Sequence, residues 1–290
     1  MTLLQAILQR TGVGIATLFV VSLLIFFGTS ILPGDVAQII LGQMATPESL
    51  AALRAKLGIG EPIYIRYYMW LGDFVTGDLG ISKAGQGFGT VGTPISKMLL
   101  PRLENTLQLA GVVAAIAIPI SLALGLLAAM FPGTRLDRTV TFSTLSLISV
   151  PEFLVATLLV LILAVYLQWL PAVALSLDGK SGWQVVKALA MPTLTLVIIV
   201  SAQIIRMTRA TVLNVMSSPY IEMAILKGVP RRRIILRHAL FNAIGPIVNV
   251  IALNLAWLVS GVVIVETIFA YPGLAKLMID AVQTLSLIHI

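Results

Sequence analysis

The sequence predicts an all-α integral membrane protein, a polytopic helical bundle. Three observations predict it. Of 290 residues, 58% are hydrophobic and only 11% charged, with a mean hydropathy of +1.02; soluble domains carry about 25% charged residues. Five apolar stretches reach the roughly 20 residues that a membrane-spanning helix needs. Lys and Arg gather in alternate short loops, the bias that orients spans with their basic loops in the cytoplasm.

Composition also removes chemistry. Cys is absent and His is limited to His238 and His289. Disulfides, thiolate zinc sites and thiol nucleophiles are therefore excluded, and no metal site or cofactor is expected. The net charge of +7 would suggest nucleic acid in a soluble protein. Here the positive-inside bias accounts for it, and no nucleic-acid partner is expected. No G-x-x-x-x-G-K-[ST] loop is present to cradle a nucleotide, and neither H-E-x-x-H nor G-x-S-x-G occurs. No catalytic residues are therefore expected in this chain.

The first span runs over roughly 12–32. It is longer than the apolar region of a signal peptide, and no A-x-A cleavage site follows, so residues 1–32 are expected to be retained. Residues 33–102 carry mixed charge and form an external segment. It contains a helix over PESLAALRAKLG, with Pro47 at its start and Gly58 at its end. GDFVTGDLG and KAGQGFGTVGTP read as turns and loops. Tyr67 and Asp78 are the expected docking points for an external partner.

The transmembrane core is expected over 103–284. Its spans lie at roughly 104–130, 139–168, 189–213 and 243–268, the second of these broken by Pro151. Arg10, Arg135, Arg138, Arg206, Arg209 and the basic segment 214–242 all fall on one side if the N-terminus is cytoplasmic. The opposite loop, roughly 169–188, has Lys180 and Lys187 against Asp178.

Polar residues inside spans are costly in lipid and mark candidate pathways. They are Glu152 just after Pro151, Gln203, Asn249, Asn254 and Glu266. The competing role is hydrogen bonding between helices. Arg206 and Arg209 are expected to snorkel to the interface.

The basic segment reads YIEMAILKGVPRRRIILRHALFNA from Tyr220 to Ala243. It holds Lys227, Arg231, Arg232, Arg233, Arg237 and His238. Ser217 and Ser218 offer N-cap hydroxyls, and Pro219 suits the first helical position. Glu222 complements the helix dipole, Gly228 can take the left-handed conformation that ends a helix, and Pro230 blocks continuation. A basic loop that only fixes topology needs none of this. A short helix presenting Ile221, Ala224 and Ile225 fits docking into a partner's groove.

This segment resembles the EAA loop of ABC-importer permeases, with Glu222, Met223 in place of the middle Ala, Ala224 and then Gly228. ILPGD at 31–35, KLGIGEPIYIRYYMWLGDFVTGDLGIS, PRLENTLQLA, SVPEF, RHALFNAIGP and VVIVETIFAYPGLAKLMIDAV are similar to segments of the dipeptide/oligopeptide/nickel-type permeases. Their order covers nearly the whole chain. The resemblance implies a type I permease fold in the bacterial inner membrane. It implies the transmembrane subunit of an ATP-driven importer of peptides or related small solutes, working by alternating access. It implies four further partners: a second homologous permease, two cytoplasmic ATP-binding subunits and an external solute-binding protein. The coupling residues it marks are Tyr220, Glu222, Ala224, Gly228, Arg237 and His238. Peptides, nickel chelates, opines and glutathione-like molecules all belong to the family's range.

Two other readings stay open. An ion-coupled secondary transporter would show inverted repeats and paired broken helices; the one strong break is at Pro151. A non-transporting membrane scaffold would not need polar residues in its spans. The permeases of the resemblance also carry a sixth helix. Here the similar text stops at Thr284 and LSLIHI follows. Six residues cannot cross ~30 Å of hydrocarbon. The codons CTG TCT CTT ATA CAC ATC would encode this hexapeptide and look like a transposon-type sequencing adapter. Residues 285–290 are therefore expected to be non-native, with the sixth span truncated.

Overall fold

The computed structural model describes residues 3–31, 46–57, 61–81, 93–174, 182–260 and 262–283. The 285–290 tail, the charges at Asp178 and Lys180, Gly58 and most of KAGQGFGTVGTP lie outside the described residues. The chain forms two compact units, Met1–Leu100 with Met278–Ile290, and Pro101–Leu277.

In the first unit, the apolar α1 (Leu3–Ile31) is exposed along most of its length, with a half-covered stripe at Ser22, Leu23, Phe26 and Phe27. Such a helix is built for lipid. Helix α2 (Pro47–Leu57) starts as expected at Pro47. A reciprocal pair closes its end: Thr46 N–H donates to Ser49 Oγ (2.9 Å) and Ser49 N–H to Thr46 Oγ1 (3.2 Å), a capping box with Ser in the returning position.

Helix α3 (Ile63–Thr76) was not expected, and it absorbs GDFVT, which reads as a turn in the sequence. Gly77 at φ 84° ends it. Its stability comes from α1. Tyr67 sits in a cage of Phe19, Phe26 and Phe27, with ring centroids 5.3–6.3 Å apart, and its hydroxyl meets Ser22 Oγ at 2.8 Å. Tyr67 is thus 3% exposed, which corrects its expected role as a docking point. Asp78 is exposed, as are Tyr64 and Tyr68 on α3.

The second unit holds most of α4 (Ile95–Met130), then α5 (Arg135–Ser149) and α6 (Glu152–Leu159), which continues π-helically through Val160–Tyr166. Next come α7 (Trp183–Met216), α8 (Pro219–Leu226) and α9 (Arg231–Arg233). A π-helical stretch, Ile234–Ala239, joins α9 to α10 (Leu240–Val259). Two short helices follow, α11 (Val263–Ile268) and α12 (Leu274–Gln283), of which α12 belongs to this unit only as far as Leu277.

Four described helices are long and apolar enough to cross a membrane: Leu4–Gly28, Ile95–Met130, Trp183–Met216 and Arg231–Ile268. The fifth expected span is the pair α5–α6, bent by 103°. Pro151 causes the bend. It lacks an N–H and drives Val150 out of the helical region, to φ −89° and ψ 127°. The helix that enters the last span starts at Arg231, as the Pro230 break implies, and leads through Ile234–Ala239 into the apolar stretch expected from about 243.

The core of this unit lies where α4, α6, α7, α10 and α11 pack. Leu109, Val113 and Ala117 meet Met191, Leu196, Val200 and Phe269 there. Along α4, Ala117, Ser121, Gly125 and Ala129 recur every fourth residue and are all buried. Small residues at that spacing let two membrane helices approach closely. Gly125 is the tightest point: a Cβ there would stand 2.7 Å from Thr208 Cβ and 3.0 Å from the Ile205 carbonyl. Gly125→Leu is expected to force α4 and α7 apart and destabilise the unit by about 1–3 kcal/mol. Thermal unfolding in detergent measures it. Gly111→Leu, at an exposed position of the same helix with nothing within 4 Å, is the control, expected to lose no stability and to gain up to about 1 kcal/mol of helix propensity.

Candidate functional site

The Pro151 bend places a carboxylate. Glu152 is the first residue of α6, and its side chain opens on a cavity of about 370 Å³ lined also by Ile199, Gln203, Leu253, Asn254 and Trp257. Gln203 comes from α7, and Leu253, Asn254 and Trp257 from α10. Asn254 is 7% exposed, and its Nδ2 donates to the Val250 carbonyl at 2.9 Å. Three of the candidate path residues, Glu152, Gln203 and Asn254, therefore converge.

Asn249 does not join them. It lies exposed on α10, away from the cavity lining. Glu266 is elsewhere too, 1% exposed and fully engaged. Thr106 Oγ1 donates to Glu266 Oε1 (3.0 Å) and Lys276 N–H to Oε2 (2.9 Å), while Leu274 N–H donates to Thr106 Oγ1 (2.8 Å). Asn105 Nδ2 donates to the Pro272 carbonyl, and the Tyr271 hydroxyl to the Asn105 carbonyl at 2.6 Å. Burial, and then the neighbouring Glu266, push the Tyr271 phenol far above its usual range, so it stays a donor. A Cβ on Gly273 would overlap the Glu266 carboxyl. The carboxylate thus pins the first turn of α12 and the start of α4, the interhelical role weighed for the polar span residues.

The second region is the basic segment. Pro219 stands at the first turn of α8, and Glu222 lies in that turn. The expected serine caps are absent. Ser217 Oγ donates to Asn214 O (2.7 Å) and Ser218 Oγ to Val215 O (2.5 Å). Both hydroxyls close the end of α7 instead of opening α8. Gly228 has φ 73°, its N–H reaches Ile225 O (2.9 Å), and Val229 N–H reaches Ala224 O (3.1 Å), a left-handed helix stop. Ile221 is fully buried and anchors α8 near the buried Ile234 and Ile235. Ala224 is half-buried. Tyr220, Met223, Ile225 and Leu226 are exposed, Leu226 by 80%, and so are Glu222, Arg237 and His238. Of the expected apolar face, Ile221 turns inward and Ile225 outward, and Met223 and Leu226 extend it.

One site escaped the sequence reading. Arg209 does not snorkel: its Nε meets Asp137 Oδ1 at 2.5 Å and its Nη2 meets Oδ2 at 2.9 Å. Asp137 is 3% exposed and also receives Gly133 N–H (2.8 Å). Its backbone N–H donates to Thr134 Oγ1 (3.4 Å). The local signal was present as the capping pattern Thr134-x-x-Asp137; the Arg partner, 72 residues away, was not. Among the described residues, no cluster of three or more His, Cys, Asp or Glu could hold a metal ion.

Comparison with known proteins agrees with this architecture. The family model for the N-terminal part of binding-protein-dependent transport membrane components matches residues 3–110. The model described as the inner membrane component of such systems matches residues 121–288. The "Probable peptide ABC transporter permease protein y4tP" of Sinorhizobium fredii is 34% identical over 280 residues, 96% of this chain and 87% of that protein. The glutathione transport system permease protein GsiC of Escherichia coli is 33% identical over 281 residues, 97% of this chain and 87% of its own length. With four to five apolar helices of spanning length and both family models matched, the chain is a multi-pass membrane protein that belongs to the family of binding-protein-dependent transport system inner membrane components.

Proposed function

We propose that this chain is the transmembrane subunit of an ATP-driven inner-membrane importer for peptides or related small solutes such as glutathione. It forms the solute path by alternating access. It pairs with a second homologous permease, two cytoplasmic ATP-binding subunits and an external solute-binding protein. The N-terminus and the basic segment face the cytoplasm, and residues 33–102 face the binding protein. The observation that carries the reading is α8: a short helix with a buried anchor, Ile221, a left-handed stop at Gly228 and exposed Met223, Ile225 and Leu226. Exposed apolar side chains ringed by Arg and Lys beside a membrane face fit a groove in a soluble partner. Family membership and relatives named for peptide and glutathione transport support the solute class.

A chain without cysteine makes the test direct. Met223→Cys, in the assembled transporter, is expected to crosslink to an ATP-binding subunit with a short thiol–amine reagent. Ile221→Cys, buried in the same helix, is expected not to. If a transporter that hydrolyses ATP in response to solute gives no crosslink from Met223, Ile225 or Leu226, α8 is not the coupling element.

A further inference from the structure

The cavity between α6, α7 and α10 has a sign. Its one ionisable lining residue is Glu152, and its other polar linings, Gln203 and Asn254, are neutral amides. Glu152 is half-buried and has no hydrogen-bond or ion-pair partner among the described residues. Carboxylates at membrane depth are costly and are normally paired or hydrated. Two features offset part of that cost here. It stands in the first turn of α6, where the free N–H groups and the helix dipole favour an anion. It also faces open volume rather than packed side chains. Arg206, one turn beyond Gln203 on α7, is exposed, lies outside the cavity lining and makes no ion pair with Glu152.

We propose that this cavity binds the positively charged group of a passing solute, a protonated amine, with Glu152 as the charge-selecting residue and the Asn254 Oδ1 and Gln203 side-chain oxygens as hydrogen-bond acceptors. Trp257, Ile199 and Leu253 supply the apolar wall for the uncharged remainder, and an indole face adds attraction for a cation. This rests on the reading that the cavity lies on the solute path. A cleft with low-dielectric walls and one sign of charge concentrates ions of the opposite sign by about ten- to a thousandfold. The cavity therefore discriminates between solutes before any specific contact is made.

The test needs no knowledge of the natural solute. Ile199→Cys places the chain's only thiol on the cavity wall. In the assembled transporter, with and without ATP, this cysteine is labelled with 2-(trimethylammonio)ethyl methanethiosulfonate and with the 2-sulfonatoethyl reagent. Rates are read by the mass of the purified chain and divided by the rates with a free small thiol. The corrected rate for the cation should exceed that for the anion by at least about tenfold. The excess should fall towards unity in Ile199→Cys with Glu152→Gln and persist in part with Glu152→Asp. An excess that is absent, or unchanged by Glu152→Gln, overturns the proposal while leaving the path intact. Failure of both reagents and of small neutral methyl methanethiosulfonate to react in either nucleotide state shows a closed, dry cavity, and overturns the path reading together with the proposal.

Discussion

Replacing Gly228 by valine is expected to lower ATP-driven uptake more than tenfold while leaving the amount of inserted chain unchanged. The argument is conformational. Gly228 holds φ 73°, the left-handed region that costs an L-residue about 1–2 kcal/mol and a β-branched residue more. Nothing lies within 4 Å of the Cβ position, so the new side chain meets no clash. All the cost falls on the backbone turn between α8 and Pro230. To relieve it, the turn must change shape, and α8 then leaves the axis that presents Met223, Ile225 and Leu226. About 1.4 kcal/mol of misdocking is already tenfold in affinity. Gly228→Asn is the informative partner, because Asn visits the left-handed region readily. It should retain most uptake. Uptake assays on vesicles, normalised to inserted protein, decide between them. Full uptake by the valine variant would mean that the turn's shape does not matter to coupling.

The left-handed stop at Gly228 was legible because it depends on four neighbouring residues. The bend at Pro151 was legible for the same reason, since one ring forbids one hydrogen bond. The azimuth of side chains around a helix was harder to read. Asn249 and Asn254 look alike in sequence, but five residues at 3.6 per turn rotate them about 140° apart. One lines the cavity and the other faces outward. Glu266 could be placed near the end of a span. Its partner Thr106, 160 residues away, could not be read from local pattern. Helix α3 was missed because Tyr, Ile and Trp in IYIRYYMW favour strands, and only packing of Tyr67 against Phe19, Phe26 and Phe27 makes them a helix. The serine caps failed through competition: Ser217 and Ser218 had two helix ends within reach and served the earlier one.

The same limit hid the strongest electrostatic contact in the described chain, and it carries the largest expected loss of stability. Asp137 is enclosed, and Arg209, 26% exposed at its side chain, grips it with both Nε and Nη2. Removing one member of a buried pair costs about 3–5 kcal/mol, because the other is left as an uncompensated charge. Arg209 keeps some solvent, which moves the expected loss for Arg209→Leu towards the lower end, about 3 kcal/mol. The remaining hydrogen bonds to Asp137, from Gly133 N–H and Thr141 Oγ1, cannot neutralise it. Asp137→Asn should cost less, since an amide still accepts one bond and Arg209 can turn to water. The double variant Asp137→Asn with Arg209→Leu should recover much of the loss, because no buried charge remains. Arg206→Leu, an exposed arginine one turn earlier on α7, is the control and should stay within about 0.5 kcal/mol of the parent. Thermal unfolding of the parent and the four variants in the same detergent closes the cycle. A loss for Arg209→Leu no larger than that for Arg206→Leu would show that the pair is a surface contact. A loss that persists undiminished in the double variant would show that Arg209 acts through its packing, and that the charge on Asp137 is satisfied without it.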